Sequence, residues 1–203
     1  MYYDPSGYVM KDEDYAKIMY DTDGEGSAYY QNRTHSGALK SNKSSNYYEG
    51  RYFQSHHLLQ GEWANTNLKD YGYSYGKAPT LSLGTNSYTD VYGNTVLPPH
   101  DYANFGQGQR RDARGGDYSS TLNSELVFGA TDLINGGISE SLVMSELERN
   151  YKMIDHLNTK NAAKIQSGEL ALLEYDRAAI EAVVHNYAEQ QRLEKERMRQ
   201  LNC

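Results

Sequence analysis

The residues that most resemble a known chemical site form an acidic run, Asp21, Asp23 and Glu25, followed by Gly26. Oxygen ligands at positions one, three and five, and then a glycine that allows a sharp turn, are typical of the first half of an EF-hand calcium loop. Position twelve, where a bidentate Glu closes the coordination shell, is Asn32. The pattern therefore predicts an acidic turn and no metal site. A degenerate calcium-responsive binding module built on Asp21, Asp23 and Glu25 is the alternative.

Two further segments carry residue types that can do chemistry. His56 and His57, near Trp63, could bind a metal or act as a base, but no cysteine, second histidine pair or carboxylate stands at ligand spacing. They are interpreted as contact histidines. The segment Gly106–Arg111 lacks the third glycine of a dinucleotide loop and the Lys-Ser/Thr of a phosphate loop, and with Arg114 it predicts a flexible basic turn. The sequence thus predicts neither an enzyme nor a cofactor.

Tyrosine is the residue that stands out by number, because 17 of the 20 tyrosines precede residue 119. A tyrosine ring combines a large apolar face with one hydroxyl, which suits a half-hydrated contact surface. The tyrosine clusters are therefore predicted to bind a partner. The candidate residues are Tyr47, Tyr48, Tyr52, Tyr71, Tyr73, Tyr75, Tyr88 and Tyr92.

The elements that would position these tyrosines are few. Residues 1–118 contain only 13 Ile, Val, Leu and Phe residues, well below the usual content of a globular domain. This composition predicts a mostly irregular or extended N-terminal arm (1–118) with short helical turns and no compact globular core. Short strands are predicted at Thr80–Leu83 and Thr121–Phe128, and residues 119–138 are predicted to be a short strand and turn connector.

The last part of the chain, residues 139–203, predicts two α-helices. Ser139 is a plausible N-cap, and apolar residues then recur at steps of three and four. Ser167 and Gly168 interrupt the pattern before a second helix that begins near Glu169. The two helices could form an antiparallel hairpin or one bent rod, and the sequence permits both.

Charge and cysteine content narrow the classes of partner. The net charge is −7, and only a small, dispersed positive excess lies between Arg33 and Arg114, so nucleic acid is not predicted as a partner. The single cysteine, Cys203, excludes an intramolecular disulfide and favours a reducing compartment. No signal peptide and no apolar run of membrane-spanning length is present, so an intracellular protein without membrane contact is expected.

The segments 67–79 and 87–98, rich in Tyr, Asp, Gly and Pro, resemble the loop-rich microtubule inner proteins of ciliary and flagellar doublet microtubules. The resemblance implies a non-enzymatic structural protein on the lumenal wall of the axonemal doublet. Its partners would be tubulin and neighbouring lumenal or filament proteins, and its location would be cytoskeletal. A cement protein of a virion or of another large assembly is the alternative from a different class.

Overall fold

The computed structural model describes residues 32–34, 47–48, 51–84, 88–89, 95–96 and 98–201. The strands are β1 (Asn32–Thr34), β2 (Tyr47–Tyr48), β3 (Arg51–His56), β4 (Pro79–Gly84), β5 (Tyr88–Thr89) and β6 (Thr95–Val96). The first four form one antiparallel sheet in the order β1-β4-β3-β2, and β5 pairs with β6. The central pair of the main sheet is therefore β3 and β4.

Strand β4 fixes the inner face of this sheet. Leu81 and Leu83 lie two residues apart, which places them on the same face of a strand, and both are fully buried. The predicted strand at Thr80–Leu83 is thereby confirmed. In the register between the two central strands, His56 pairs with Leu81. The end of β3 consequently lies beside the most buried part of β4.

Six α-helices follow or interrupt the sheet in the described part of the chain. They are α1 (Gly61–Asn67), α2 (Pro99–Arg114), α3 (Leu122–Asn135), α4 (Glu140–Lys160), α5 (Ala162–Gln166) and α6 (Arg177–Leu201). Helix α2 begins with a proline at its first position and ends at Gly115, whose φ of +58° is left-handed. Helix α3 begins at Thr121, whose Oγ1 accepts a hydrogen bond from the Ser124 amide at 3.2 Å.

Two predictions of local structure are wrong. Thr121–Phe128 was expected to be a strand within a connector, but it forms the N-cap and first half of α3. Leu122, Leu126 and Ala130 recur every four residues and are buried, which is the helical period. Gly106–Arg111 was expected to be a flexible turn, but it lies inside α2. Its glycines lower helix propensity, and tertiary packing against α3 overrides that preference.

Helices in the C-terminal part of the chain are confirmed, but the structure has three, α4, α5 and α6, where two were predicted, and they form neither a simple hairpin nor a continuous rod. The second helix was expected to begin near Glu169, whereas α6 begins at Arg177. Gly168, with φ of +78°, ends α5, and an extended strap (residues 167–176) leads to α6. Asn158 on α4 binds both main-chain groups of Leu173 in this strap, at 2.9 and 3.0 Å. Helix α6 then lies against α3, where the Tyr187 hydroxyl donates to Asn135 Oδ1 at 2.6 Å. None of the helices in the described residues has the length and apolarity to cross a membrane.

One continuous apolar core joins the sheet to the helices. The predicted arm supplies Leu58, Leu59, Trp63, Ala64, Leu68, Leu81 and Leu83 to this core, and later segments supply Leu126, Leu133, Leu147, Ile154, Ile180 and Val184. For residues 58–83, this corrects the expectation of an arm without a compact core. The leucines before residue 119 are few, but most of those that the structure describes are packed together. The described core also crosses the predicted boundary at residue 118.

The packing of Gly129 against the main chain of Leu58 predicts that a larger residue at this position lowers stability. A Cβ atom at this position in α3 would lie 2.0 Å from the main-chain oxygen of Leu58, a contact that requires the backbone to move. We therefore expect Gly129→Ala to lower the free energy of unfolding by about 2–3 kcal/mol, as overpacking does in other cores. Urea unfolding followed by circular dichroism measures this change.

Gly108 provides the matched control for the same substitution. It also lies inside a helix, but no atom would lie within 4 Å of an added Cβ. Gly108→Ala should therefore raise the free energy of unfolding by about 0.5–1 kcal/mol through helix propensity alone. Equal effects of the two substitutions would contradict the close packing of α3 on Leu58.

Candidate active site

Two histidines at the end of β3 meet the first turns of α2. His56 and His57 are almost fully buried, with 3% and 8% of their surface exposed. His100 and Asn104 lie four residues apart on α2, so their side chains share one face of that helix. The His56 and His100 rings meet edge to face, with centroids 5.9 Å apart. The strand and the helix thus bring together side chains that are more than 40 residues apart in sequence.

Asn104 lies beside the imidazole of His100. Its side-chain nitrogen is 3.0 Å from Nδ1 of that ring. Asn104 is exposed and His100 is half-buried, whereas His56 is enclosed. The cluster therefore opens to solvent on the side of Asn104.

His57 is held in a defined orientation by the segment that precedes β4. Its Nε2 lies 3.1 Å from the main-chain oxygen of Tyr75, and the Tyr75 ring lies over the imidazole with centroids 4.1 Å apart. A carbonyl oxygen can only accept a hydrogen bond, so Nε2 carries the proton in this contact. The lone pair of the neutral ring is then on Nδ1, where it can accept a proton.

Gln107, on the same face of α2, contacts both histidines of the pair, through the main chain of His57 and the ring of His56. Its side-chain nitrogen donates to the His57 oxygen at 3.0 Å and lies 3.2 Å from Nε2 of His56. Gln60 in turn donates to the main-chain oxygen of Gln107 at 3.4 Å. The end of β3 is therefore bonded to α2 as well as packed on it.

Two ion pairs fix α2 on α3 behind this site. Arg110 binds Asp132 through both guanidinium nitrogens, and Arg114 binds Glu125 with 2.5 Å between Nη2 and Oε1. Gly106 makes the first pair possible, because a Cβ at this position would lie 2.2 Å from Oδ1 of Asp132. Both carboxylates are nearly buried, so each is compensated by a guanidinium rather than by water.

Burial favours the neutral form of His56 and of His100. Burial and the neighbouring His100 and His57 together lower the pKa of His56 to about 3. Burial also lowers the pKa of His100, although Asp101 acts in the opposite direction. Neutral imidazoles offer lone pairs to a metal ion or to a proton. The described residues contain no group of three or more His, Cys, Asp or Glu side chains that could hold a metal.

The structure separates the tyrosines that the sequence grouped as a partner-binding surface. Tyr71 is buried, and its hydroxyl donates to the main-chain oxygen of Ala171 in the strap at 2.7 Å. Tyr73 packs against the core, and Tyr75 is 43% exposed beside His57. Tyr47, Tyr48, Tyr52 and Tyr88 lie in strands, and only the backbone of these four residues is described. Tyr92 and the candidate calcium ligands Asp21, Asp23 and Glu25 lie outside the described residues.

The sequence analysis identified His56 and His57 but missed His100 and Asn104. The pair was interpreted as contact histidines because no second ligand stood nearby in sequence. One signal was present: His100 and Asn104 have helical i, i+4 spacing directly after Pro98 and Pro99, which mark a helix start. That signal does not show which strand the helix faces, so only the fold could connect it to the histidine pair.

The low pKa of His56 predicts how stability depends on pH. Below pH 6.5 the unfolded chain binds a proton at this residue, whereas the folded chain binds it only near pH 3. This contribution to stability is therefore complete above pH 6.5 and is lost as the pH falls, by about 1.4 kcal/mol per unit. Between pH 7.5 and pH 5 in EDTA, the wild type should lose about 2 kcal/mol more than His56→Gln in urea unfolding. Glu140 raises the pKa of the exposed His185, so His185→Gln should show at least the wild-type loss. Equal pH dependence of His56→Gln and wild type would contradict the burial of a neutral ring.

Comparison with known proteins gives a family for this chain. A family model described as Tox-SHH, an HNH/Endo VII superfamily toxin with a SHH signature, matches residues 50–155. This range contains the chain's one Ser-His-His tripeptide, Ser55 to His57, and also His100 and Asn104. Neither the curated proteins nor the solved structures gave a match.

This match overturns several predictions from the sequence. The chain is not a microtubule inner protein of the axoneme, and the structural function that this resemblance implied is wrong. The two alternatives, a cement protein and a calcium-responsive module, are also wrong. HNH/Endo VII toxin domains are generally nucleases, so the predictions of no enzyme, of tubulin as partner and of no nucleic acid are wrong as well. An intracellular location stays a prediction. The family model covers 106 of the 203 residues, and the chain belongs to the Tox-SHH family of HNH/Endo VII superfamily toxins.

Proposed function

We propose that this chain is a nuclease toxin that hydrolyses phosphodiester bonds of nucleic acid at the cluster of His56, His57, His100 and Asn104. The observation that carries the proposal is the meeting of the Ser-His-His tripeptide with His100 and Asn104 inside the residues that the family model matches. The same cluster has no role in the apolar core. Buried histidines beside a solvent-exposed amide are the arrangement expected of a catalytic site.

His57 is the proposed general base. Its Nε2 proton is donated to the Tyr75 carbonyl, so Nδ1 is the atom on which the ring would take a proton from an attacking water. The Tyr75 ring limits rotation of the imidazole, so the lone pair keeps its direction. A base that is held in one tautomer and one orientation does not need to be ordered when the substrate binds.

His100 and Asn104 are the side chains at the open side of the cluster that could contact a divalent metal ion. A neutral imidazole and an amide oxygen are ligands that Zn²⁺ and similar ions accept, and substrate and water would fill the other positions. When bound, such an ion would neutralise charge on the phosphate and stabilise the leaving oxygen. His56 is not available as a ligand, because its Nε2 accepts a hydrogen bond from Gln107 and the ring proton is then on Nδ1.

The surface around the site offers a contact for nucleic acid despite the negative net charge. Of the three arginines on α2, Arg110 and Arg114 are bound to buried carboxylates. Arg111 keeps 58% of its side chain exposed and is held only loosely by Asp112, at 3.6 Å. It lies seven residues after Asn104, two helical turns along the same face, where it could bind a phosphate of a strand at the site. The negative net charge of the chain therefore does not exclude nucleic acid as a substrate, because an exposed arginine near the site can contact a phosphate.

Cleavage assays test the proposed function. The purified chain is incubated with supercoiled plasmid or with a mixed-sequence RNA, in MgCl₂, MnCl₂ or ZnCl₂, and in parallel with EDTA. We expect metal-dependent cleavage that EDTA abolishes. His57→Ala should reduce the rate at least about 100-fold, because a general base contributes factors of this size. Asn104→Ala should reduce the increase in cleavage rate that added metal produces.

His185 offers a matched control for the histidine substitution. It is exposed on α6, bound to Glu140 at 2.7 Å, and lies outside the residues that the family model matches. His185→Ala should therefore cleave like the wild type. Absence of cleavage under all metal conditions, or a His57→Ala variant as active as His185→Ala, would refute the proposed function.

A further inference from the structure

Gln107 occupies a position from which one side chain can order both histidines of the tripeptide. It follows His100 by seven residues and Asn104 by three, so it lies on the face of α2 that meets the end of β3. Its side-chain nitrogen is 3.0 Å from the main-chain oxygen of His57 and 3.2 Å from Nε2 of His56. An amide nitrogen has two hydrogens, one for each of these acceptors.

The orientation of this amide follows from chemistry. The two ends of a Gln amide differ in their hydrogen bonding, and a main-chain carbonyl can only accept. The end that faces the His57 oxygen must therefore be the NH₂ group. The same NH₂ group then meets Nε2 of His56, so this ring nitrogen carries the lone pair and Nδ1 carries the proton. Gln60 supports the arrangement, because it donates to the main-chain oxygen of Gln107 and accepts from Arg114 at 3.0 Å.

We propose that Gln107 is a positioning residue that sets the tautomer of His56 and fixes the main chain at His57. It contacts no reacting atom in this arrangement and acts through the two histidines. The inference rests on the proposed nuclease function for its effect on rate, but the tautomer can be measured without any activity. Misplacing a catalytic group by about 1 Å can lower a rate by about 100-fold, so we expect the loss of this partner to lower kcat by about 10-fold.

The decisive variant is Gln107→Glu, with Gln109→Glu as its control. Both exchange an amide for a carboxylate in the same helix and change the charge equally. Gln109 is exposed, and its position two residues along α2 turns it away from the histidines. A carboxylate at position 107 cannot donate to Nε2 of His56 and would instead accept a proton from it. Nitrogen-15 spectra of the EDTA-treated full chain should therefore show Nδ1–H on His56 in the wild type and in Gln109→Glu, and Nε2–H in Gln107→Glu.

Gln107→Met provides a second variant in case the carboxylate impairs folding. Methionine has nearly the same length and no N–H donor, so His56 should lose its single tautomer and kcat should fall about 10-fold. If His56 of the wild type carries its proton on Nε2, or if neither variant changes the tautomer, the inference is wrong. If His57→Ala abolishes cleavage but both Gln107 variants cleave like Gln109→Glu, Gln107 is not a positioning residue although the proposed function stands. A tautomer change in a chain without nuclease activity would support the contact and refute the function.

Discussion

Two ion pairs, Arg110 with Asp132 and Arg114 with Glu125, hold α2 against α3, and the geometry of the active site depends on this contact. Both carboxylates are nearly removed from water, so the loss of either arginine would leave a buried charge without compensation. Breaking such a pair typically costs about 3–5 kcal/mol, much more than its net contribution when intact. The pairs therefore act mainly as a constraint on where the helix can lie. They fix α2 in rotation as well as in position, because arginines one turn apart must both reach their partners.

Helix α3 contributes no residue to the histidine cluster. It nevertheless positions both parts of that cluster, the histidine pair at the end of β3 and the side chains on α2. On one side it carries the acidic partners of α2, and Gly106 allows the two helices to approach closely. On the other side Gly129 admits the main chain of Leu58, which directly follows the Ser-His-His tripeptide. The distance between β3 and α2 is thus set by a third element that touches both. Close contacts without a Cβ are suited to this purpose, because they leave little freedom for either partner to shift.

The parts of the fold that the sequence predicted are those governed by local periodicity. The C-terminal helices and the strand at Thr80–Leu83 show their pattern within a few residues. The prediction for Thr121–Phe128 was wrong because its residue types also suit a strand. Only the recurrence of a buried residue at every fourth position indicates a helix. The absence of a core was inferred from an average over 118 residues, whereas the leucines that matter are concentrated between Leu58 and Leu83. The site itself could not be predicted, because it depends on which helix packs against the end of β3.

The strap between α5 and α6 belongs to the folded unit, although it lies beyond the residues that the family model matches. The family match stops at Asp155, inside α4, which continues to Lys160. Beyond it, Asn158 holds the strap through Leu173, Tyr175 donates to Asp155 at 3.0 Å, and α6 buries Ile180 and Val184 against the same core. A chain cut at the edge of the matched region would therefore lose the last five residues of α4, more than one turn, and expose apolar surface on α3. The packed core that the structure describes therefore extends beyond the region that the family model matches.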